Sequence, residues 1–239
     1  MNKFNKLSVV ILCYKSEEKI IEFVDLVENV IKKLNKQYEI ILVANYKKSI
    51  VDKTPSIVRE LSKNNKNLVP VILEKKGMMG WDAISGLKVA KGDAIALIDG
   101  DGQMPPEDLG RLFRIMLSGE FDFVKTFRIN RFDGKKRIAM SFIFNMLFRL
   151  LFPNSFIRDI NSKPKIFTKT SLQKMQLHCY GWFLDGEIIL EVRRLNLSFA
   201  EIPTTFNEIE WRGSFINFKA VIEMIYSLFI FRIKYWVKK

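Results

Sequence analysis

The chain is short of the residues that build disulfide and zinc centres. Its 239 residues include two cysteines, Cys13 and Cys179, in unrelated segments, and one histidine, His178. Two isolated thiols exclude a disulfide scaffold, give no zinc-ligand spacing and suit a reducing compartment. His178 reads as a structural or surface residue. No stretch supplies the roughly 20 largely apolar residues that a membrane-spanning helix needs. There is no signal-peptide pattern: the run Leu7–Cys13 is short, lacks a small-residue cleavage site and reads as a first strand. Internal repeats and low-complexity linkers are missing, so one domain is expected. Negative charge is also scarce. Lys and Arg number 39 against 26 Asp and Glu, a formal net charge of +13. Such a field favours polyanions: nucleic acid, nucleotide diphosphates or an anionic membrane surface. No nucleic-acid recognition motif accompanies the charge, which sets nucleic acid aside.

What is abundant is apolar: 48% of the residues, 20 of them Phe. Up to about Phe127, short apolar runs alternate with helical patterns. Strands are predicted at Leu7–Cys13, Tyr38–Val43, Leu68–Leu73, Ala94–Ile98 and Phe121–Thr126. Helices are predicted at about Glu17–Leu34, Pro55–Lys63, Gly80–Ala90 and Pro106–Leu117. That alternation implies an α/β fold with a mainly parallel, doubly wound sheet. Beyond Arg128 the pattern changes. Ile138–Phe152 is apolar almost all round except for the stripe Ser141, Asn145 and Arg149, and it follows the basic Lys135-Lys136-Arg137. Phe215–Val237 is a second apolar helix, with Arg232, Lys234, Lys238 and Lys239 at its end. Both suit amphipathic helices lying in a membrane interface, with burial in the protein's own core as the alternative.

The most informative segment is Asp99-Gly100-Asp101-Gly102-Gln103, followed by Pro105-Pro106-Glu107. It closes the buried strand Ala94–Ile98. Carboxylates at i and i+2, where a strand gives way to a turn, can point the same way. Hard divalent cations take carboxylate and amide oxygens, and Mg²⁺ is usually held by one or two carboxylates plus substrate phosphates. Asp99, Asp101 and Gln103 are therefore the candidate ligands of Mg²⁺ or Mn²⁺, at the strand end where α/β sheets bind ligands. A plain Asp/Gly turn is the alternative.

These segments, with "LSVVILCYKSEEKI", "KKGMMGWDAISGLKVAKGDAIALIDGDGQMPPED", "RDINSKPKIF", "GWFLDGEIILEVRRLNLSFAEIP" and "RGS", occur in one order. Together they resemble a family 2 glycosyltransferase of the dolichol-phosphate mannose synthase type, over about Leu7 to Ser214. The resemblance implies a single nucleotide-diphospho-sugar-binding (GT-A type) domain at 1–214, followed by a membrane-associated helix at 215–239. It implies an inverting, metal-dependent enzyme that moves a sugar from a nucleoside-diphosphate sugar to a membrane lipid acceptor, polyprenyl phosphate being favoured. The location it implies is cytoplasmic and peripheral, at the inner face of the cell membrane.

The resemblance also assigns residues. Tyr14 and Glu17 fall in the nucleotide pocket after the first strand, and Lys76 and Gly80 in a glycine-containing loop where a helix N-terminus favours phosphate. Asp99 and Asp101 fall in the metal motif, where the first carboxylate can instead touch ribose or sugar. Arg128, Arg131 and Arg137 stand where relatives hold phosphates, a role that suits the planar guanidinium fork. Asp159 opens an Asp-x-x-Ser segment, and Arg212 and Ser214 match a terminal region that could close over the diphosphate. Asp185 is the candidate general base if the acceptor is a hydroxyl; with an ionised phosphate acceptor it would only position its helix. One departure stands out. Ala44-Asn45 replaces two aspartates usual after the second strand, leaving Asn45 alone to hydrogen-bond the nucleotide. That substitution motivates a rival reading, a non-catalytic membrane-bound nucleotide-sugar-binding protein.

Overall fold

The computed structural model describes residues 4–153, 157–209, 211 and 218–237. Among the described residues the sequence builds seven strands: β1 Lys6–Leu12, β2 Gln37–Val43, β3 Leu68–Val71, β4 Ala94–Asp99, β5 Phe123–Arg131, β6 Lys165–Thr168 and β7 Phe199–Phe206. Between and after them lie α1 Lys19–Lys32, α2 Thr54–Asn64, α3 Met79–Val89, α4 Glu107–Leu117, α5 Lys135–Leu151, α6 Lys169–Lys174, α7 Leu184–Arg194 and α8 Phe218–Val237. One sheet runs β3-β2-β1-β4-β6-β5-β7, parallel except for β6, which is antiparallel to both its neighbours.

The apolar strands are two-sided because helices cover both faces. Val9 and Ile11 of β1 pack with α1 and α4 on one face, while Val10 and Leu12 pack with α3 and α7 on the other. Helix α3 comes close to the sheet at Gly86, where a Cβ would collide with Val10 and Val43. The first four expected strands agree with the structure to within about two residues. The fifth begins two residues later than expected and extends to Arg131. Strands β6 and β7 and helix α6 were not foreseen.

The predicted apolar helices form, and each is two-faced. Phe144 and Phe148 of α5 and Met224 and Leu228 of α8 are buried in the core. Phe142, Met146 and Leu150 on α5, and Tyr226, Phe229 and Ile233 on α8, are exposed. The C-terminal helix is thus packed into the domain along one side, Phe231 lying 5.1 Å from Phe183 between ring centroids. Among the described residues, no helix is long and apolar enough to cross a membrane.

Candidate active site

The parallel strands end together: Leu12 pairs with Val43 on one side and with Asp99 on the other. Because β6 runs the opposite way, it is its start, at Lys163-Pro164-Lys165, that reaches this edge. A cavity of about 510 Å³ follows the edge. Lys47, Lys75 and Asp82 line it near β2 and β3, with Tyr14 beside them above β1. Asp99, Asp101, Gln103 and Lys163 line its middle, and Arg128, Asp133, Arg137 and Phe206 its far end.

In the middle, Gly102 takes a φ of +77°, a conformation glycine adopts without strain, and Asp101 Oδ1 accepts the Gln103 backbone N–H at 3.1 Å. Gln103 Nε2 donates to the Asn207 carbonyl at 3.1 Å, which turns the amide oxygen to the other side. Two carboxylates and an amide oxygen are the hard donors that Mg²⁺ and Mn²⁺ accept. Among the described residues, no three His, Cys, Asp or Glu side chains gather into a closed cage. The donor set therefore fits an open site whose coordination is completed by phosphate and water.

Asp185, at the start of α7, lines the cavity, but its partners do not suit it to act as a base. Its carboxylate accepts from Lys163 Nζ at 3.1 Å and from Lys165 Nζ at 2.5 Å and is buried. Burial alone would raise its pKa, but the two ammonium groups prevail and hold it below the ordinary carboxylate range. A carboxylate so stabilised is a poor proton acceptor. Between the two lysines charge is shared unequally. Burial and the neighbouring lysines push Lys165 down to about 7, against the pull of Asp185. Asp185 and Asp99 outweigh burial at Lys163 and keep it protonated.

At the far end, Arg128 makes a two-pronged pair with Asp159, Nε to Oδ2 at 2.6 Å and NH2 to Oδ1 at 2.9 Å. Arg131 does the same with Asp133 at 3.0 and 2.8 Å, and Arg137 reaches Asp133 at 3.4 Å. All three guanidinium groups stand 5.1 to 5.8 Å from the centre of the Phe206 ring. Residues three apart on a strand ordinarily face opposite ways. A register shift between Arg128 and Asn130 against β7 brings Arg128 and Arg131 to the same side. Asp159 is thus a buried partner of Arg128 and does not line the cavity. Arg131 likewise acts behind the lining.

Four expectations are corrected. Asn45 is fully buried and lies outside the cavity lining. Its Nδ2 donates to Asp82 Oδ1 at 2.9 Å and Ser85 Oγ at 3.0 Å, and its Oδ1 accepts from Leu73 N at 2.8 Å, so it supports α3 rather than a nucleotide. Gly80 is a packing glycine, since a Cβ there would strike the Cys179 carbonyl. The N-terminus of α3 is closed to phosphate: Met78, Gly80 and Trp81 N–H groups donate to the carbonyls of Tyr180 and Gly181 at 2.7 to 3.1 Å. Lys76 is exposed and leans on Trp81 at 5.7 Å, and it is Lys75 that enters the cavity, paired with Asp82. Glu17 is exposed and outside the lining, whereas Tyr14 is in it. Arg212 and Ser214 lie outside the described residues. Sequence reasoning missed Asp82, Asp133, Lys163 and Phe206, which converge only once α3, α5, β6 and β7 are packed. The lysines in Ser162-Lys163-Pro164-Lys165, ahead of an apolar run, were the available signal.

The family model described as Glycosyl transferase family 2 matches residues 8–178. Among solved structures, a crystal structure of glucosyl-3-phosphoglycerate synthase from Mycobacterium tuberculosis is similar at 18% identity and a TM-score of 0.69, over 95% of this chain and 80% of that one. The same synthase with Mn²⁺, uridine-diphosphate-glucose and phosphoglyceric acid gives 18% identity and 0.73, covering 95% and 79%. With Mg²⁺ and uridine-diphosphate it gives 17% and 0.71, again over 95% and 79%. At these identities the likeness is one of fold. The matched span runs from β1 through the Asp99–Gln103 turn and β6, the elements that frame most of the cavity, and the chain belongs to glycosyl transferase family 2.

Proposed function

We propose that the chain transfers a sugar from a nucleoside-diphosphate sugar to a phosphorylated acceptor carried by a membrane lipid, with polyprenyl phosphate the acceptor class implied by the sequence resemblance. The observation that carries this reading is the order of groups along the cleft: a nucleoside end at Tyr14, Lys75 and Asp82, a metal-binding middle at Asp99, Asp101 and Gln103, and an arginine end around Phe206. Bound Mg²⁺ or Mn²⁺ would supply Lewis-acid stabilisation of the diphosphate. The bond from sugar C1 to the diphosphate oxygen breaks, and its electron pair leaves with the nucleoside diphosphate. An acceptor oxygen forms the new bond to C1. A phosphate monoester has a second pKa of roughly 6, so it attacks already ionised and no proton need be moved. The neutralised Asp185 agrees with that chemistry and disfavours a hydroxyl acceptor, which would need a base.

The lipid part of the proposal rests on the exposed apolar side chains of α5 and α8, with Ile129 and Phe132 at the end of β5, beside the arginine end. Lys135, Lys136 and Arg232 border them, suiting an anionic headgroup layer. A second reading has a soluble phosphorylated acceptor, favoured by the similar synthase crystallised with phosphoglyceric acid. The full chain with Mn²⁺ and a panel of uridine- and guanosine-diphosphate sugars, offered polyprenyl phosphate in vesicles or 3-phosphoglycerate in solution, separates the two. Transfer to the vesicle acceptor alone is the expected result. Transfer to phosphoglycerate alone replaces the lipid reading, and no turnover with any donor removes the enzymatic one.

A further inference from the structure

Lys163 has no role in the reading above, yet its ammonium lies at the centre of the cleft. Its Nζ is 3.3 Å from Asp99 Oδ2, in the metal motif, and 3.1 Å from Asp185 Oδ2. The side chain is only 5% exposed, and what shows lines the cavity. Its backbone is pinned: Thr126 Oγ1 donates to the Lys163 carbonyl at 2.7 Å and meets Ser162 Oγ at 2.7 Å.

A purely structural role would be to balance buried Asp185. Lys165 already sits on the other oxygen of that carboxylate. With Lys163 removed, Lys165 would still hydrogen-bond Asp185 Oδ1. Asp185 thus keeps one partner without Lys163. Asp99, by contrast, is about one-third exposed to the cleft, and Lys163 is the ammonium it meets. An ammonium has three donors, and two carboxylates occupy two of them.

We propose that Lys163 is a donor-binding residue, a protein-borne cation between Asp99 and Asp185 whose remaining N–H holds the diphosphate of the nucleotide. The inference rests on the glycosyl-transfer reading above. Charge that builds on the leaving diphosphate is met by a fixed ammonium in a partly desolvated site, where such a contact is stronger than in water. Nucleoside diphosphate binding then persists in part when divalent ions are chelated.

Calorimetric titration of the full chain with UDP, GDP and the corresponding nucleosides, in saturating Mn²⁺ and in EDTA, tests this. Lys163→Met should weaken diphosphate binding about 10-fold or more in EDTA, as expected for a lost charge-assisted hydrogen bond, and less in Mn²⁺. Nucleoside binding should not change, and Lys163→Arg should restore most of the loss. The melting temperature without ligand monitors the fold. Lys163→Gln, which keeps a hydrogen-bonding side chain without charge, carries the test if the Met variant does not fold. Diphosphate affinity equal to wild type in EDTA, or equal losses for diphosphate and nucleoside, would overturn the role of Lys163 alone. Wild-type protein that binds neither diphosphate even with Mn²⁺ would overturn the glycosyl-transfer reading with it.

Discussion

The middle and the far end of the cleft use charge in opposite ways. At the Asp99–Gln103 turn the carboxylates stand at a strand end, and Asp99 stays partly open to the cleft although Lys163 meets one of its oxygens. At the far end all three of these guanidinium groups already have a carboxylate: Arg128 has Asp159, while Arg131 and Arg137 share Asp133. The contrast separates two routes to a ligand site. A metal motif works by keeping oxygens available, whereas an arginine cluster under a core must first be neutralised, because unpaired buried charge costs several kcal/mol. The arginines that sequence marks as ligands are therefore also scaffold, and their substitution will mix binding with stability.

The largest contrast should appear in Asp101→Asn. Loss of one anionic ligand should lower sugar transfer about 10²-fold or more while leaving the melting temperature near that of wild type. Turnover within a few-fold of wild type at saturating Mn²⁺ would remove Asp101 from the metal site. Arg128→Ala should do the reverse in the first instance, destabilising the fold by about 3–5 kcal/mol in urea denaturation because Asp159 is left buried and unpaired. Arg131→Ala should cost less, since Arg137 remains on Asp133. Equal stability losses in the two variants would break the distinction between them.

Asp185→Asn sharpens the comparison from the catalytic side. With an acceptor that attacks through its phosphate oxygen, transfer should fall less than about 10-fold, because no base is lost; a loss above about 10²-fold would restore the general-base role. The smallest expected effect is in pH dependence. Asp133, Asp159 and Asp185 are all held below the ordinary carboxylate range: burial opposes this, and the paired arginines and lysines outweigh it. The unfolded state binds more protons than the folded one below the unfolded pKa of about 3.9. These pairs therefore contribute their full stability above about pH 4, and it is lost as pH falls through the folded values. Urea midpoints should be flat on this account from neutrality to about pH 4 and fall below it, with a shallower acid limb in Asp133→Asn. A decline already complete by pH 5 would assign acid sensitivity to other groups.

Much of this was legible along the chain because it is local. The strands of the first half are short apolar runs bounded by turns, and Asp99 to Gln103 carry their chemistry within five residues. Asn45 was legible as a departure, but its role was not: Asp82, 37 positions away, accepts its amide and lines the cavity in its place. The glycine-containing loop ahead of α3 looked like a phosphate cradle, and only the carbonyls of Tyr180 and Gly181 close it. The four-residue strand β6 carries charged Lys165 in its first position, so its period is hidden.

By itself the sequence determined the alternating α/β order, the strand-end carboxylates and the two apolar helices, since these follow from period, turn chemistry and composition over neighbouring residues. Tertiary structure decided which charges face the cleft and which cancel one another. That depended on the reversed direction of β6, which brings Lys163 to Asp99, and on the register shift in β5, which turns Arg128 and Arg131 to one side. Electrostatic partnership depends on distance and burial in space, and residues 20 to 70 positions apart acquire both only when the sheet is assembled.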